Sequence, residues 1–263
     1  MDPFWQLITP AYECFLRFFY RRGLKRCIND TDTMIIPHKY RYFTEQYEPK
    51  FWKMVMNDVH KGDVIADIGA YIGFYAVAFA KRTGRAGKVV AFEPDPSNFS
   101  ALRENISLNK VETRIELVNL AVADKKGQIK FSAEGNSISS VAPDNKPNAG
   151  KQIKVETVAL DEYFENRKVD IIKIDVEGYE LQVLRGAKNI LQRRDSAPRA
   201  VFIEVHPYAW DNFGSTDKEI VSLLTEAGYK IIDVDGNSIG EIKNYEQVIA
   251  VKMIFPQKSG HDE

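Results

Sequence analysis

The sequence is poor in the features that settle a protein class at a glance. Its 263 residues include only two cysteines, Cys14 and Cys27. Two thiols at that spacing make neither a disulfide framework nor a metal site, so they predict free thiols in a reducing, cytoplasmic setting. No uncharged apolar run reaches the ~18 residues that a membrane-spanning helix needs. The longest, Ile68 to Ala80, has 13. No basic stretch precedes an apolar run at the start, so no signal peptide is read there. An excess of one charge is also missing. The 36 Lys and Arg face 37 Asp and Glu, a formal net charge of −1. A whole-molecule nucleic-acid footprint is thereby excluded. The length suits one large α/β domain with an appendage.

What is present centres on Asp63-Val-Ile-Ala-Asp-Ile-Gly-Ala-Tyr-Ile-Gly. Val64 to Ile68 is long enough for a buried parallel strand, and Phe74 to Lys81 reads as a helix start. Strand, glycine turn and helix is the layout that aims backbone N–H groups at a ligand. A dinucleotide fingerprint would need glycines at 69, 71 and 74. Positions 71 and 74 are Tyr and Phe, which counts against an NAD-dependent reductase. Asp67 precedes the first glycine. It would repel a diphosphate but accept an ammonium group, which points to the cationic nucleoside S-adenosylmethionine.

Before this core, Thr9 and Pro10 can open a helix with Tyr12, Phe15, Leu16 and Phe19 on one stripe. Residues 1–27 carry a local excess of cations, so the stripe either packs on the domain or a partner or lies on a membrane surface. Residues 28–62 are aromatic, with an irregular part before Pro49 and a helix over 50–60. Segment 38–52 could cover a ligand or line an acceptor pocket. His38 and Glu48 read there as surface or structural polar residues.

Beyond the core, strands and helices alternate. Strands are expected at 88–92, 115–122, 169–176 and 200–205, with helices at 72–83, 96–109 and 178–194. Thr216-x-x-Glu219 is a capping box. Residues 229–234 and 247–255 pair as strands. The rhythm breaks at 128–132 and 153–160, which alternate like hairpin or edge strands around a polar loop over 135–150. Long loops of this kind are often functional.

In a parallel sheet the ligand lies at the carboxyl ends of the strands. Those ends offer Asp67, Gly69, Ala70, Tyr71 and Gly73, then Glu93-Pro94, then Asn119, Ala121 and Asp124. Glu93 stands 24 residues beyond Gly69, near the spacing of a ribose-binding acid. The fourth strand carries Lys173, Asp175 and Glu177 on one face by the period of two. Glu204 and His206 end the fifth. If these two strands are neighbours, their polar groups converge. His206 held by a carboxylate, or a carboxylate such as Asp175, is then a general base for a hydroxyl nucleophile. The same groups could bind a divalent cation, although no metal spacing is diagnostic.

Five blocks carry a family resemblance. They are the glycine turn, Ala91-Phe-Glu-Pro-Asp-Pro, Leu120-Ala-Val-Ala-Asp-Lys-Lys-Gly, Lys173-Ile-Asp-Val-Glu-Gly-Tyr-Glu and Val183-Leu-Arg-Gly-Ala. In this order they resemble FkbM-family methyltransferases, from about 47 to 254. The resemblance implies the class I fold: a Rossmann-like, mostly parallel seven-stranded sheet with helices on both faces and its last strand antiparallel. Residues 1–46 would be a helical, aromatic extension, 47–255 the methyltransferase domain and 256–263 a loose tail. The resemblance further implies methyl transfer from S-adenosylmethionine to a hydroxyl of a sugar, glycan or natural product. It places Asp67, Gly69 and Gly73 at the cofactor turn, Glu93 at the ribose, and Asp175, Glu177 and Glu180 in the signature block. It does not assign the base. Amino-group methyltransferases normally carry Asn-Pro-Pro-Tyr at the fourth strand, where this chain has Asp-Val-Glu-Gly. A non-catalytic cofactor-binding module would keep the turn without needing the strand-end carboxylates.

Overall fold

The computed structural model describes residue 19 and residues 22–43, 45–132, 140–141, 152–242 and 246–253. The aromatic stripe expected near the start (Phe19 apart), most of the polar loop and the tail 256–263 lie outside the described residues. In chain order the elements are β1 (Leu24–Ile28), β2 (Asp32–Ile36), α1 (Pro49–Asp58), β3 (Val64–Ile68), α2 (Phe74–Thr83), β4 (Lys88–Phe92), α3 (Pro96–Leu108), β5 (Ile115–Val118), β6 (Ala121–Val122), β7 (Gly127–Ser132), β8 (Ser140–Val141), β9 (Gln152–Val158), α4 (Leu160–Tyr163), β10 (Ile171–Asp175), α5 (Glu180–Arg185), α6 (Lys188–Leu191), β11 (Ala200–Val205), α7 (Pro207–Trp210), α8 (Asp217–Glu226), β12 (Tyr229–Ile232) and β13 (Glu246–Lys252).

Seven strands form one sheet in the order β12-β13-β11-β10-β3-β4-β5. The run from β11 to β5 is parallel, and β13 is antiparallel to both its neighbours. This is the expected Rossmann-like α/β sheet. Its central strands are apolar on both faces because helices cover both: Ile65, Ala66, Ile171, Ile172, Val201 and Phe202 are all buried. Asp95 caps α3 by accepting from the Ser97 and Asn98 N–H groups, ahead of Pro96. The capping box at Thr216 opens α8 as expected.

Four expectations change. Residues 115–122 do not form one strand. β5 ends at Val118, and Ala121–Val122 joins a second, smaller sheet of order β6-β9-β7-β8. The helix expected over 178–194 is two short pieces. Gly186 separates them and lies against β6's exit, where an added Cβ would stand 2.0 Å from the Ala123 carbonyl oxygen. The irregular lead-in contains the hairpin β1–β2. Its Ile28, Met34 and Ile36 share a core cluster with Phe51, Trp52 and Val77, and Asn109 hydrogen-bonds both the N–H and the carbonyl of Ile35. Lastly, β10 ends at Asp175, so Glu177 reaches the site by a left-handed turn (φ 52°) and not by strand periodicity.

The amino-terminal rim of the sheet is tied by Arg199. Its guanidinium reaches Asp63 at 2.6 Å and Asp58 at 3.1 Å. Asp170 accepts from the Val64 N–H at 2.9 Å, and the Arg199 N–H donates to the Asp170 carbonyl. No described helix is long and apolar enough to cross a membrane.

Gly186→Ala has no room for its methyl group beside a backbone carbonyl. It is expected to lose about 2 kcal/mol or more, read as a lower urea midpoint with the slope unchanged.

Candidate active site

Sheet pairing decides which side chains meet. β3 lies between β10 and β4, and Asp175 pairs with Glu204 across β10 and β11. The glycine turn after β3 therefore faces the carboxyl ends of its neighbours. Gly69 (φ 76°) runs so close to β10 that a Cβ there would stand 1.8 Å from the Asp175 carbonyl oxygen. Only glycine fits.

Four amides of the turn are already engaged within the protein and so are not open to a ligand, contrary to expectation. Gly69 and Ala70 donate to the Phe92 carbonyl, and Gly73 donates to that of Ala70. Tyr71 donates to Glu93 Oε2 at 2.8 Å. What faces the ligand side is acidic. Gly73 opens α2 and packs against Leu102. The Tyr71 ring is wedged against Tyr40 and Phe43.

A cavity of about 300 Å³ opens over these strand ends. By strand order Glu93, Pro94 and Ala121 line it on the β4–β5 side and Asp175, Glu177 and Glu204 on the β10–β11 side, with Gly69 and Tyr71 between them. Phe43, Tyr47 and Glu48 enter from the segment before β3, and Phe131 and Val141 from the small sheet. Two residues expected near an adenine edge are not in this lining. Asn119 is exposed and donates to the Glu93 and Pro94 carbonyls, latching β4's exit. Asp124 is exposed beyond β6. Glu48 had read as a surface or structural residue, but it borders the cavity.

Glu93 is buried, and its two oxygens accept the N–H groups of Tyr71 and Asp95. Burial dominates and pushes its carboxyl up to about 8, although these hydrogen bonds oppose the shift. Asp67 is sealed, with 0% exposure. Neither of its oxygens has a hydrogen-bond partner among the described residues. Burial, offset by Lys173, pushes it up to about 6.

Lys173 is also buried. Its ammonium lies 3.2 Å from Asp175 Oδ2 and 4.5 Å from the centre of the Tyr75 ring. Burial opposes its charge, but Asp175, Asp67, Glu48 and Glu204 outweigh that and raise its pKa. His206 sits behind the cavity wall. Its Nδ1 is 2.8 Å from Glu180 Oε1, and its Nε2 is 3.6 Å from Glu177 and 4.0 Å from Asp175. Burial disfavours the imidazolium, yet the Glu180 bond and the charges of Asp175 and Glu177 push it up to about 9. His206 is thus charged at neutral pH and does not border the cavity.

The sequence predicts a carboxylate holding this imidazole, and the structure makes it Glu180 of the signature block, with aromatic partners that the sequence does not flag. Glu180, fully buried, also accepts from Trp210 Nε1 and from the Gly178 N–H. Tyr208 donates to Glu177 at 2.5 Å. Trp210 lies three residues beyond Pro207, a spacing that nothing in the chain flags. Asp175, Glu177 and His206 stand close enough to surround a divalent cation.

The residues fit a cationic nucleoside. Glu93 would take ribose hydroxyls, and the acidic turn suits a positive centre where a diphosphate would be repelled.

The FkbM methyltransferase domain model matches residues 67–231. The chain is 27% identical over 178 residues to the hexuronic acid methyltransferase AglP of Haloferax volcanii, covering 66% of each chain. It is 28% identical over 207 residues to the 31-O-demethyl-FK506 methyltransferase FkbM of Streptomyces tacrolimicus, covering 66% of this chain and 75% of that one. It is 29% identical over 163 residues to the 2-O-methyltransferase NoeI of Sinorhizobium fredii, covering 55% and 65%. The chain thus spans just under two thirds of the first relative and three quarters of the second. Among solved structures, a SAM-dependent O-methyltransferase from Thermotoga maritima superposes with a TM-score of 0.45 at 14% identity, over 86% of this chain and 69% of that one.

Because Asp67 is held above the ordinary carboxylate value, its ionisation opposes folding. The cost is absent below pH 3.8, grows as pH rises, and is complete above about 6, where it reaches about 3 kcal/mol. Asp67→Asn should therefore raise the ligand-free melting temperature by about 5 °C or more at pH 8 and by little near pH 4, read by calorimetry at both.

Proposed function

The chain belongs to the FkbM methyltransferase family, and from that premise we propose that it methylates a hydroxyl oxygen of a sugar, glycan or small natural product. Bound S-adenosylmethionine would supply the methyl group on a sulfonium, which an acceptor oxygen displaces in line. The chain's own task is then to align the acceptor and remove one proton.

The observation that carries this reading is the acceptor end of the cavity. Beyond Gly69 and Tyr71 it is lined by Asp175, Glu177 and Glu204. Carboxylates there accept hydrogen bonds from hydroxyls and can take the proton. Asp175 is the proposed base. It borders the cavity, and Lys173 orients its second oxygen. His206 is a positioning residue, a fixed positive charge behind Asp175 and Glu177. Glu204 is pushed up to about 8 by burial and by Asp175. At neutral pH Glu204 holds its proton, which leaves Asp175 as the acceptor for the substrate's.

The described lining contains no Lys, Arg or His. Such a wall favours neutral, polyhydroxylated acceptors over carboxylated ones. In this respect the chain would differ from the relative named for hexuronic acid.

Two measurements test the reading. Asp175→Asn should lower turnover by about 10²-fold or more, followed as S-adenosylhomocysteine release with a panel of hexoses, hexuronic acids and hydroxylated macrolides. Its S-adenosylhomocysteine affinity should stay within a few-fold of native. Near-normal turnover would remove Asp175 as base. Glu93 offers the second measurement. It is protonated at pH 7 when free, and ribose hydroxyls donating to it favour the ionised form. Binding should expel about one proton, seen by calorimetry in buffers of different ionisation enthalpy. Glu93→Gln should abolish that release.

A further inference from the structure

Glu48 occupies a conformation that needs a reason. Its φ and ψ are 44° and 54°, left-handed, and Pro49 follows. A residue before proline is normally driven to extended backbone. Strain of this kind persists only where the surroundings enforce it, and it gathers at ligand sites. Here the Glu48 carbonyl accepts from the Trp52 N–H at 2.8 Å, starting α1. Tyr75 donates its hydroxyl to Glu48 Oε2 at 2.8 Å. The left-handed kink turns the carboxylate inward, so that it borders the cavity together with Gly69 and Tyr71.

The charge balance beside it is incomplete. Lys173 is one ammonium among the carboxylates of Asp67, Asp175 and Glu48, with the protonated Glu204 beside them. Asp67 is fully buried and does not line the main cavity; it borders only a void of about 10 Å³ shared with Gly69, Tyr71 and Lys173, too small for an ammonium-bearing side chain. Asp175 is already in contact with Lys173, and Glu204 lies toward His206. Glu48 faces the cavity with two neutral tyrosines, Tyr75 and Tyr47, as its hydrogen-bond donors, and Lys173 acts on it through space. A positive group supplied by the ligand would complete the balance. Glu93 fixes the nucleoside end, and the cavity runs from there past the glycine turn to Glu48.

We propose that Glu48, which precedes the matched domain, receives the α-ammonium of the cofactor's amino-acid end. The role first read for Asp67 passes to the acid that faces the cavity, while Asp67 neutralises Lys173 from behind. The assignment rests on the S-adenosylmethionine reading above and adds the residue that tells the whole cofactor from its nucleoside.

Two probes isolate this contact. S-adenosylhomocysteine carries the ammonium. 5′-Methylthioadenosine has the same nucleoside and thioether without the amino acid. In displacement calorimetry, Glu48→Gln should weaken S-adenosylhomocysteine about tenfold or more and leave methylthioadenosine within about twofold. The native preference between the two then falls by the same factor. Tyr75→Phe, which keeps the charge and only loosens its aim, should reduce that preference about threefold. Equal weakening of both probes by Glu48→Gln would mark a structural role and overturn the assignment. So would no weakening of either. If the native enzyme binds neither probe, the cofactor reading itself fails, an outcome distinct from both.

Discussion

One buried ammonium organises the functional end of this protein. Lys173 lies in the middle of the central strand, and the acids around it come from β3, β10, β11 and the segment ahead of α1. An ammonium buried alone would be prohibitively costly, and so would carboxylates packed together without a cation. Each makes the other tolerable. The arrangement also fixes the order of the strands, since only with β10 between β3 and β11 do Asp67 and Glu204 flank the same lysine. The cavity is what remains when these charges are satisfied on the protein side and left short on the ligand side.

The glycine turn shows the same logic. Its amides are committed to Phe92 and Glu93, so the surface it offers is electronegative. A phosphate-binding loop built on the same strand–turn–helix frame does the reverse, pointing its N–H groups outward. Two frames of one outline can therefore prefer ligands of opposite charge. The deciding residue is Glu93, whose side chain reaches back to the Tyr71 amide.

Much of this could be read along the chain. The apolar runs at 64–68, 88–92 and 200–205 became strands, and Thr216 and Asp95 became caps, because burial and capping act over a few residues. Asp175 and Glu204 were placed together by strand-end position, and the sheet order then made them neighbours. What escaped depends on contacts between distant segments. Gly186 breaks a helix because Ala123 passes beside it. Asn119 turns from the cavity because two carbonyls of β4's exit claim its amide. Glu48 carries no periodic signal, and its place at the site comes from a left-handed kink that proline should discourage. The hairpin β1–β2 has charged residues scattered through its strands, which hid its buried face.

The Arg199 clamp on the opposite rim gives the molecule a polarity. Asp58, Asp63 and Asp170 meet one guanidinium there, and the same contacts link the starts of β3, β10 and β11. Registry is thus secured on the rim away from the cavity. The residues that line the cavity are relieved of that duty. New acceptor preferences could be grafted by rewriting positions 204, 177 and 131 while the anchored edge goes on dictating how the strands align. In engineering terms, this is a chassis with its mounting bolts on the far side from its tool head.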